Sequence, residues 1–112
     1  MKKLFSTLMA SCLIAVFCAT PAFARTRTFN STGKSFDKSW ELTSGDGNYL
    51  IKYGFNTAFI NEDYTHTYHS NRHHVATVTN SNGSFSDEDN GGRWAGIEVR
   101  HSGNYVTYSI SY

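Results

Sequence analysis

Hydrophobic and polar residues alternate with a period of two in several short runs of the chain. In residues 49–55 and 105–112, every second side chain is aromatic or aliphatic. Successive side chains of a β-strand point to opposite faces of the sheet, so each run predicts a half-buried strand. No long stretch has apolar residues at positions i, i+3, i+4 and i+7, and an amphipathic helix is therefore not predicted. The expected inward positions are Tyr49, Ile51, Tyr53, Phe55, Val106, Tyr108, Ile110 and Tyr112.

Residues 36–43 and 93–100 alternate less regularly and predict two further strands. The turn residues Ser44–Gly47 follow the first of these runs, which favours a hairpin with the strand that begins at Tyr49. In the second run, strict alternation places Trp94 opposite Ile97 and Val99, so this tryptophan is either a buried anchor or an exposed ring. The positions expected to share a face in each run are Phe36, Lys38, Trp40 and Leu42, and Ala95, Ile97 and Val99.

The most unusual stretch is Tyr64–Asn80, which holds four of the five histidines. Its second half predicts a strand with His74, Ala76 and Val78 on one face, ending at a turn signal that begins at Asn80. Tyr64–Arg72 mixes aromatic rings, imidazoles and hydroxyls without a clear period. We therefore expect that segment to be a polar loop or a short edge strand that carries a binding surface.

Other segments are assigned from their composition. Ala58–Ile60 is expected to extend the strand that contains Phe55, and Gly83–Gly92 is expected to be a loop with the acidic cluster Asp87–Asp89. Five or six strands joined by Gly, Asn and Ser turns at spacings of about 8 to 12 residues are typical of small all-β domains. The predicted fold is an all-β, small antiparallel β-sandwich with a single domain.

Residues 1–24 have the pattern of a secretory signal peptide. Lys2 and Lys3 precede the apolar run Leu4–Cys18, and Ala22-Phe23-Ala24 forms a small-x-small cleavage site. The apolar run contains polar residues and is shorter than the roughly 20 residues of a membrane span. The sequence therefore predicts a secreted protein without a stable membrane span. Its expected parts are the signal peptide at 1–24, a polar N-terminal segment with the first strand at 25–46, and a core at 47–112.

Removal of that segment changes the cysteine content and the charge. Both cysteines, Cys12 and Cys18, lie within it, so no disulfide is expected in the remaining domain. Loss of Lys2 and Lys3 changes the formal net charge from +1 to −1. This balance argues against a nucleic-acid binder and against a cationic membrane-disrupting peptide, because both need a basic excess.

Several short motifs lie along residues 47–112, and the most specific is a Tyr-His pair upstream of a His-x-Ala-Thr-Val strand. They are Gly47, Tyr49, Tyr53-Gly54, Ala58-Phe59, Tyr68-His69, His74-Val75-Ala76-Thr77-Val78, Asn80, Gly92-Arg93-Trp94-Ala95 and the tyrosine-rich segment up to Tyr112. Together these motifs resemble the lactococcin 972 family of secreted bacteriocins.

The resemblance implies a secreted, unmodified antibacterial protein with a β-sandwich fold that is able to form a homodimer. Proteins of this kind bind the cell-wall precursor lipid II and block septum formation without making pores. The target would be met by imidazoles, guanidinium groups and tyrosine rings. The ligand-binding residues we predict are Tyr68, His69, Arg72 and His74. Neither catalysis nor a cofactor is expected.

The same residues leave three alternatives open. One is a secreted surface-binding or adhesion module without enzymatic activity. Another is a histidine-dependent hydrolase in which His66-x-x-His69 and His73-His74 supply zinc ligands together with Glu62 or Asp63, although His73 and His74 are adjacent and would point to opposite faces of a strand. The third is a calcium site in Asp87–Gly92, which imitates an EF-hand loop but lacks helical flanks.

Overall fold

The alternating runs form eight β-strands in a computed structural model that describes residues 25–112. The predicted signal peptide, residues 1–24, lies outside the described residues. The strands are β1 (Thr26–Asn30), β2 (Trp40–Gly45), β3 (Tyr49–Asn56), β4 (Glu62–His69), β5 (His74–Asn80), β6 (Gly83–Asp89), β7 (Trp94–Arg100) and β8 (Thr107–Ser111).

Two four-stranded antiparallel sheets contain these strands. The first sheet has the order β1-β8-β5-β6, and the second has the order β2-β3-β4-β7. The inner faces of the two sheets supply a common core, which confirms the predicted small antiparallel β-sandwich. Hairpins join β2 to β3, β3 to β4, and β5 to β6. The turn residues before Tyr49 and after Thr79 favour the first and the last of these, whereas the connection from β3 to β4 was predicted as strand.

The core is aromatic and follows the predicted alternation. Tyr53 lies 5.0 Å from Tyr108 of the facing sheet, and Phe29 stacks on Tyr53 at 5.1 Å between ring centroids. All eight inward positions predicted in residues 49–55 and 105–112 are buried. Residues 25–112 contain no cysteine and so no disulfide. Burial of these rings is therefore the main contribution to the stability of the fold.

The prediction for Tyr64–Arg72 is wrong in its secondary structure. Residues 62–69 form β4, an interior strand that pairs with β3 on one side and β7 on the other. Only residues 70–73 form a loop. The inner face of β4 carries polar residues such as Thr65 and Thr67, whereas Tyr68 lies on its outer face, and this is why the segment lacks a simple polar and apolar period.

Two loop predictions also need correction. Gly83–Asp89 is β6, and its acidic residues are tolerated because β6 is an edge strand with one face in solvent. The carboxylate of Asp87 accepts a hydrogen bond from the backbone N–H of Gly96 at 3.0 Å, and so covers part of the edge of β7. Ala58–Ile60 does not extend β3, which ends at Asn56, and Phe59 is 98% exposed in the following loop.

The strand predicted at residues 36–43 begins later than expected, and the direction of Trp94, which the sequence left open, is outward. Phe36 precedes β2, which begins at Trp40, but its ring still packs on Phe55 at 5.1 Å and on His101 at 4.1 Å. Trp94 is 48% exposed on the outer face of the second sheet, because the alternation of β7 turns Ala95 inward. Trp94 is therefore not an anchor of the core.

Candidate functional site

One end of the sandwich gathers segments that are distant in sequence. Antiparallel pairing places the beginning of β3 and the end of β4 side by side, with Tyr49 opposite His69. The first sheet contributes the beginning of β1 and the segment that follows β8, where Arg25 and Tyr112 exchange backbone hydrogen bonds of 3.0 Å. The loop of residues 70–73 and the turn of residues 46–48 close this end.

A cleft of about 340 Å³ opens between these segments. Three of its side chains are guanidinium groups, and only one is a carboxylate, so the lining carries an excess of two positive charges. We call it the cationic cleft, and its lining residues are Arg25, Arg27, Asp46, Asn48, His69, Asn71, Arg72 and Tyr112. An anionic group is the ligand that this charge balance favours.

His69 holds the loop that carries Arg72. Its side chain is nearly buried, and its Nδ1 accepts hydrogen bonds from the backbone N–H groups of Asn71 at 3.2 Å and Arg72 at 3.1 Å. Burial lowers the pKa of His69 below its ordinary value, and the positive charge of Arg72 lowers it further. The ring is therefore neutral in the folded protein, with its proton on Nε2, and it contributes position more than charge.

Arg27 of β1 is held against aromatic rings beside the cleft. The guanidinium carbon of Arg27 lies 5.9 Å from the ring centroid of Tyr49, which in turn stacks on Tyr112 at 5.3 Å. A hydrogen bond with Tyr112 raises the pKa of Arg27, so this guanidinium stays charged at any physiological pH. The edge position of β1 leaves both Arg25 and Arg27 exposed to an incoming ligand.

The single carboxylate of the cleft is engaged in a turn. Oδ1 of Asp46 accepts hydrogen bonds from the backbone N–H groups of Asn48 at 3.0 Å and Tyr49 at 3.3 Å. These bonds, chiefly the one from Asn48, lower the pKa of Asp46. Its charge therefore stabilises the turn between β2 and β3 and also offsets part of the positive charge of Arg25 and Arg27, so the excess in the cleft comes from the number of arginines.

The structure brings together two of the four predicted ligand-binding residues. His69 and Arg72 line the cationic cleft. Tyr68 precedes His69 and so points to the outer face of the second sheet, where its ring lies 5.4 Å from that of Trp94. His74 is fully buried between the sheets and presents no surface to a ligand.

His74 instead connects the two sheets through its ring nitrogens. Nδ1 lies 2.7 Å from Oγ1 of Thr67, and Nε2 lies 2.8 Å from the backbone carbonyl oxygen of Arg93. Since that carbonyl only accepts, Nε2 donates to it, and Nδ1 accepts from the threonine hydroxyl. His74 therefore acts on the site only indirectly, because its hydrogen bonds hold β4 and the residue before β7 in place.

Sequence reasoning missed the part of the cleft that lies outside the histidine-rich stretch. Residues 25–46 were predicted only as a polar segment with the first strand, yet they supply Arg25, Arg27 and Asp46. The available signal was the i, i+2 spacing of the two arginines, which places both on one face of a strand. Their proximity to Arg72 depends on the pairing of β1 with β8, which the sequence pattern does not specify.

The remaining histidines are separated from one another. His66 lies on the outer face of β4, 2.9 Å from a carboxylate oxygen of Glu98, whereas His69 faces the cleft. His73 lies 2.6 Å from Oε1 of Glu88. Within residues 25–112, no group of three or more His, Cys, Asp or Glu side chains is arranged to hold a metal ion. The Asp87–Asp89 segment belongs to β6 and does not form a calcium-binding loop.

A second polar cluster lies at the opposite end of the sandwich. The buried carboxylate of Asp63 lies 2.8 Å from Nδ1 of His101 and accepts a hydrogen bond of 2.9 Å from Nδ2 of Asn80. The ring of His101 is enclosed by Phe36 and Phe55. Because its polar groups have partners and its imidazole is covered, we assign this cluster to the packing of the two sheets.

None of the described residues forms a helix with the length and apolarity needed to cross a membrane. No protein-family model, curated protein or solved structure matches this chain. The family resemblance of residues 47–112 therefore stays a prediction from the residues that carry it.

Proposed function

We propose that this protein is a secreted antibacterial protein that binds a phosphate-bearing cell-wall precursor of the lipid II type through the cationic cleft. The observation that supports this most is the convergence of Arg25, Arg27 and Arg72 on one cleft with a single carboxylate. Guanidinium groups bind phosphate oxygens through paired, charge-assisted hydrogen bonds. The proposal is one of binding and not of catalysis.

The size of the cleft limits which part of such a precursor it accepts. A volume of about 340 Å³ corresponds to on the order of ten water molecules at ~30 Å³ each. This is enough for a diphosphate group, and because the cleft is open to solvent, the sugars, peptide and lipid chain attached to it are able to extend beyond it. The cleft would therefore hold the diphosphate, while the remainder of the precursor extends over the neighbouring surface or stays in the target membrane.

The charge of the protein supports binding to a membrane-anchored target without disruption of the membrane. The domain that remains after removal of residues 1–24 has a formal net charge of −1, and three of its eight Lys and Arg residues line the cleft. Membrane-disrupting peptides instead combine a basic excess with an amphipathic helix. Arrest of cell-wall synthesis is the antibacterial effect that fits this distribution of charge.

A growth assay tests this proposal. Purified residues 25–112 should arrest the growth of susceptible Gram-positive bacteria, and prior mixing with purified lipid II should abolish the effect. A phospholipid without a sugar-diphosphate headgroup is the control and should not protect. Binding to the bacterial surface without growth arrest would favour the adhesion module, and leakage of a cytoplasmic dye would favour pore formation. Either result would overturn the proposal.

A further inference from the structure

A row of large side chains lies on the outer face of the second sheet at the same end as the cationic cleft. Strand register places Leu50 of β3 opposite Tyr68 of β4, and Tyr68 opposite Trp94 of β7. Leu50 is 39% exposed and Trp94 is 48% exposed, and the Tyr68 ring between them is partly buried. We call Leu50, Tyr68 and Trp94 the aromatic row.

Polar and charged groups surround this row. Nζ of Lys52 lies 5.7 Å from the ring centroid of Trp94. On the adjoining positions of the same face, His66 pairs with Glu98. A planar apolar surface with hydrogen-bonding groups at its margin suits a saccharide, which presents a C–H face for stacking and hydroxyl groups at its rim. The Nε1–H of an exposed tryptophan is an additional donor.

The row is continuous with the cationic cleft. A shallow hollow of about 320 Å³ leads from Leu50 and Tyr68 to the turn of residues 46–48, and Asp46 and Asn48 line both the hollow and the cleft. Strand alternation places Tyr68 of the row and His69 of the cleft on opposite faces of β4, so the two surfaces connect only around the end of the sheet, at the turn of residues 46–48. One ligand is therefore able to reach both surfaces around that turn.

We infer that the aromatic row binds a saccharide ring of the ligand whose phosphate occupies the cationic cleft. This inference rests on the proposed function and adds a second subsite to it. An apolar chain would need an unbroken apolar surface, whereas Lys52 and the His66–Glu98 pair interrupt this one. A second copy of the chain would need about 800 Å² of contact per partner, which three side chains do not supply.

Binding of two separate probes to the folded protein tests the inference. Chitotetraose, an uncharged oligomer of N-acetylglucosamine, represents the saccharide, and inorganic pyrophosphate represents the phosphate. By titration calorimetry, Trp94→Ala should weaken chitotetraose binding at least tenfold and leave pyrophosphate binding unchanged. Trp94→Phe should retain part of the saccharide affinity, because a ring remains. Arg72→Ala should instead weaken pyrophosphate binding and leave chitotetraose binding unchanged.

The results separate the inference from the proposed function. If wild type does not bind chitotetraose, or if Trp94→Ala binds it equally well, the saccharide subsite is refuted whatever happens with pyrophosphate. If Arg72→Ala keeps full pyrophosphate affinity, the proposed function fails while the saccharide result can still stand. Thermal melting controls for folding, and Trp94→Phe gives the answer if Trp94→Ala is unstable. A dimer in sedimentation that Trp94→Ala dissociates would instead identify the row as a self-association surface.

Discussion

Nδ1 of His69 accepts a hydrogen bond from the backbone N–H of Arg72 at 3.1 Å, and this bond couples the protonation of the ring to the position of the guanidinium. The sequence alone suggests that protonated imidazoles strengthen an anion contact at low pH. The geometry reverses this expectation for His69. A proton on Nδ1 would remove the acceptor that orders the loop and would place a second positive charge beside Arg72.

The first prediction concerns the pH dependence that follows. The pKa of His69 is lower in the folded protein than its unfolded value near 6.5, so the unfolded state binds more protons just below that pH. The contribution of His69 to stability is therefore complete above about pH 6.5 and is lost as the pH falls through the folded pKa. Thermal melting at several pH values between 7.5 and 5 measures this loss.

His69→Asn is the control for that experiment, because its Oδ1 takes the place of Nδ1 and still accepts the loop hydrogen bonds but does not titrate in this range. The pKa of His73 shifts in the opposite direction, since the hydrogen bond with Glu88 raises it, but His73 is present in both proteins. The difference between wild type and His69→Asn therefore isolates His69. Equal pH dependence in the two proteins would show that His69 does not control the loop.

The second prediction compares two neighbouring residues of β3 that point to opposite faces. Ile51 is fully buried in the core, whereas Leu50 is 39% exposed on the outer face. Ile51→Ala should lower the free energy of unfolding by about 2 to 5 kcal/mol, since it leaves a cavity among packed side chains. Leu50→Ala should cost less than about 1 kcal/mol. Denaturant unfolding measures both, and the reverse order would show that the register of β3 is wrong.

The third prediction concerns His74, which the sequence places among the ligand-binding residues. His74→Ala removes the partners of the Thr67 hydroxyl and the Arg93 carbonyl, and it leaves a cavity between the sheets. We expect a loss of about 2 to 4 kcal/mol in the free energy of unfolding. At a temperature where the variant stays folded, its affinity for pyrophosphate should stay near that of wild type. A stable variant that has lost its affinity would mean that His74 contacts the ligand.

The fourth prediction concerns the N-terminal end of the exported protein. The Ala22-Phe23-Ala24 motif predicts cleavage before Arg25, and β1 begins at the next residue, Thr26. Such cleavage would retain every arginine of the cationic cleft. Mass spectrometry of the culture supernatant should find a protein that starts at Arg25. An exported protein that still begins at Met1, or one that has lost Arg25 and Arg27, would contradict the account.

Local patterns were sufficient to predict much of the fold. The alternation of residues 49–55 and 105–112 identified two strands and their buried faces, because one face of each strand lies against the core. The pattern failed where local composition and tertiary context conflict. β4 places polar residues on its inner face and tyrosines on its outer face, and β6 carries acidic residues because it lies at an edge.

The candidate site was less predictable than the fold. The sequence identified Tyr68, His69 and Arg72 as candidate binding residues. The face of the sheet on which each side chain lies depends on where β4 ends. Arg25 and Arg27 reach the cleft only because β1 pairs with β8, across most of the length of the chain. Sequence patterns of a single chain do not encode such a long-range register.

The most direct test of the central claim is the affinity of matched arginine variants for vesicles that contain lipid II. Arg72 is exposed in the cationic cleft, whereas Arg100 is exposed at the other end of β7 and lies outside the cleft. Arg72→Ala should weaken binding about tenfold to a hundredfold, since a charge-assisted contact with phosphate contributes about 1.5 to 3 kcal/mol. Arg100→Ala should bind as wild type does. Equal affinity of Arg72→Ala and wild type, with unchanged circular dichroism, would contradict the assignment of the phosphate site to the cationic cleft.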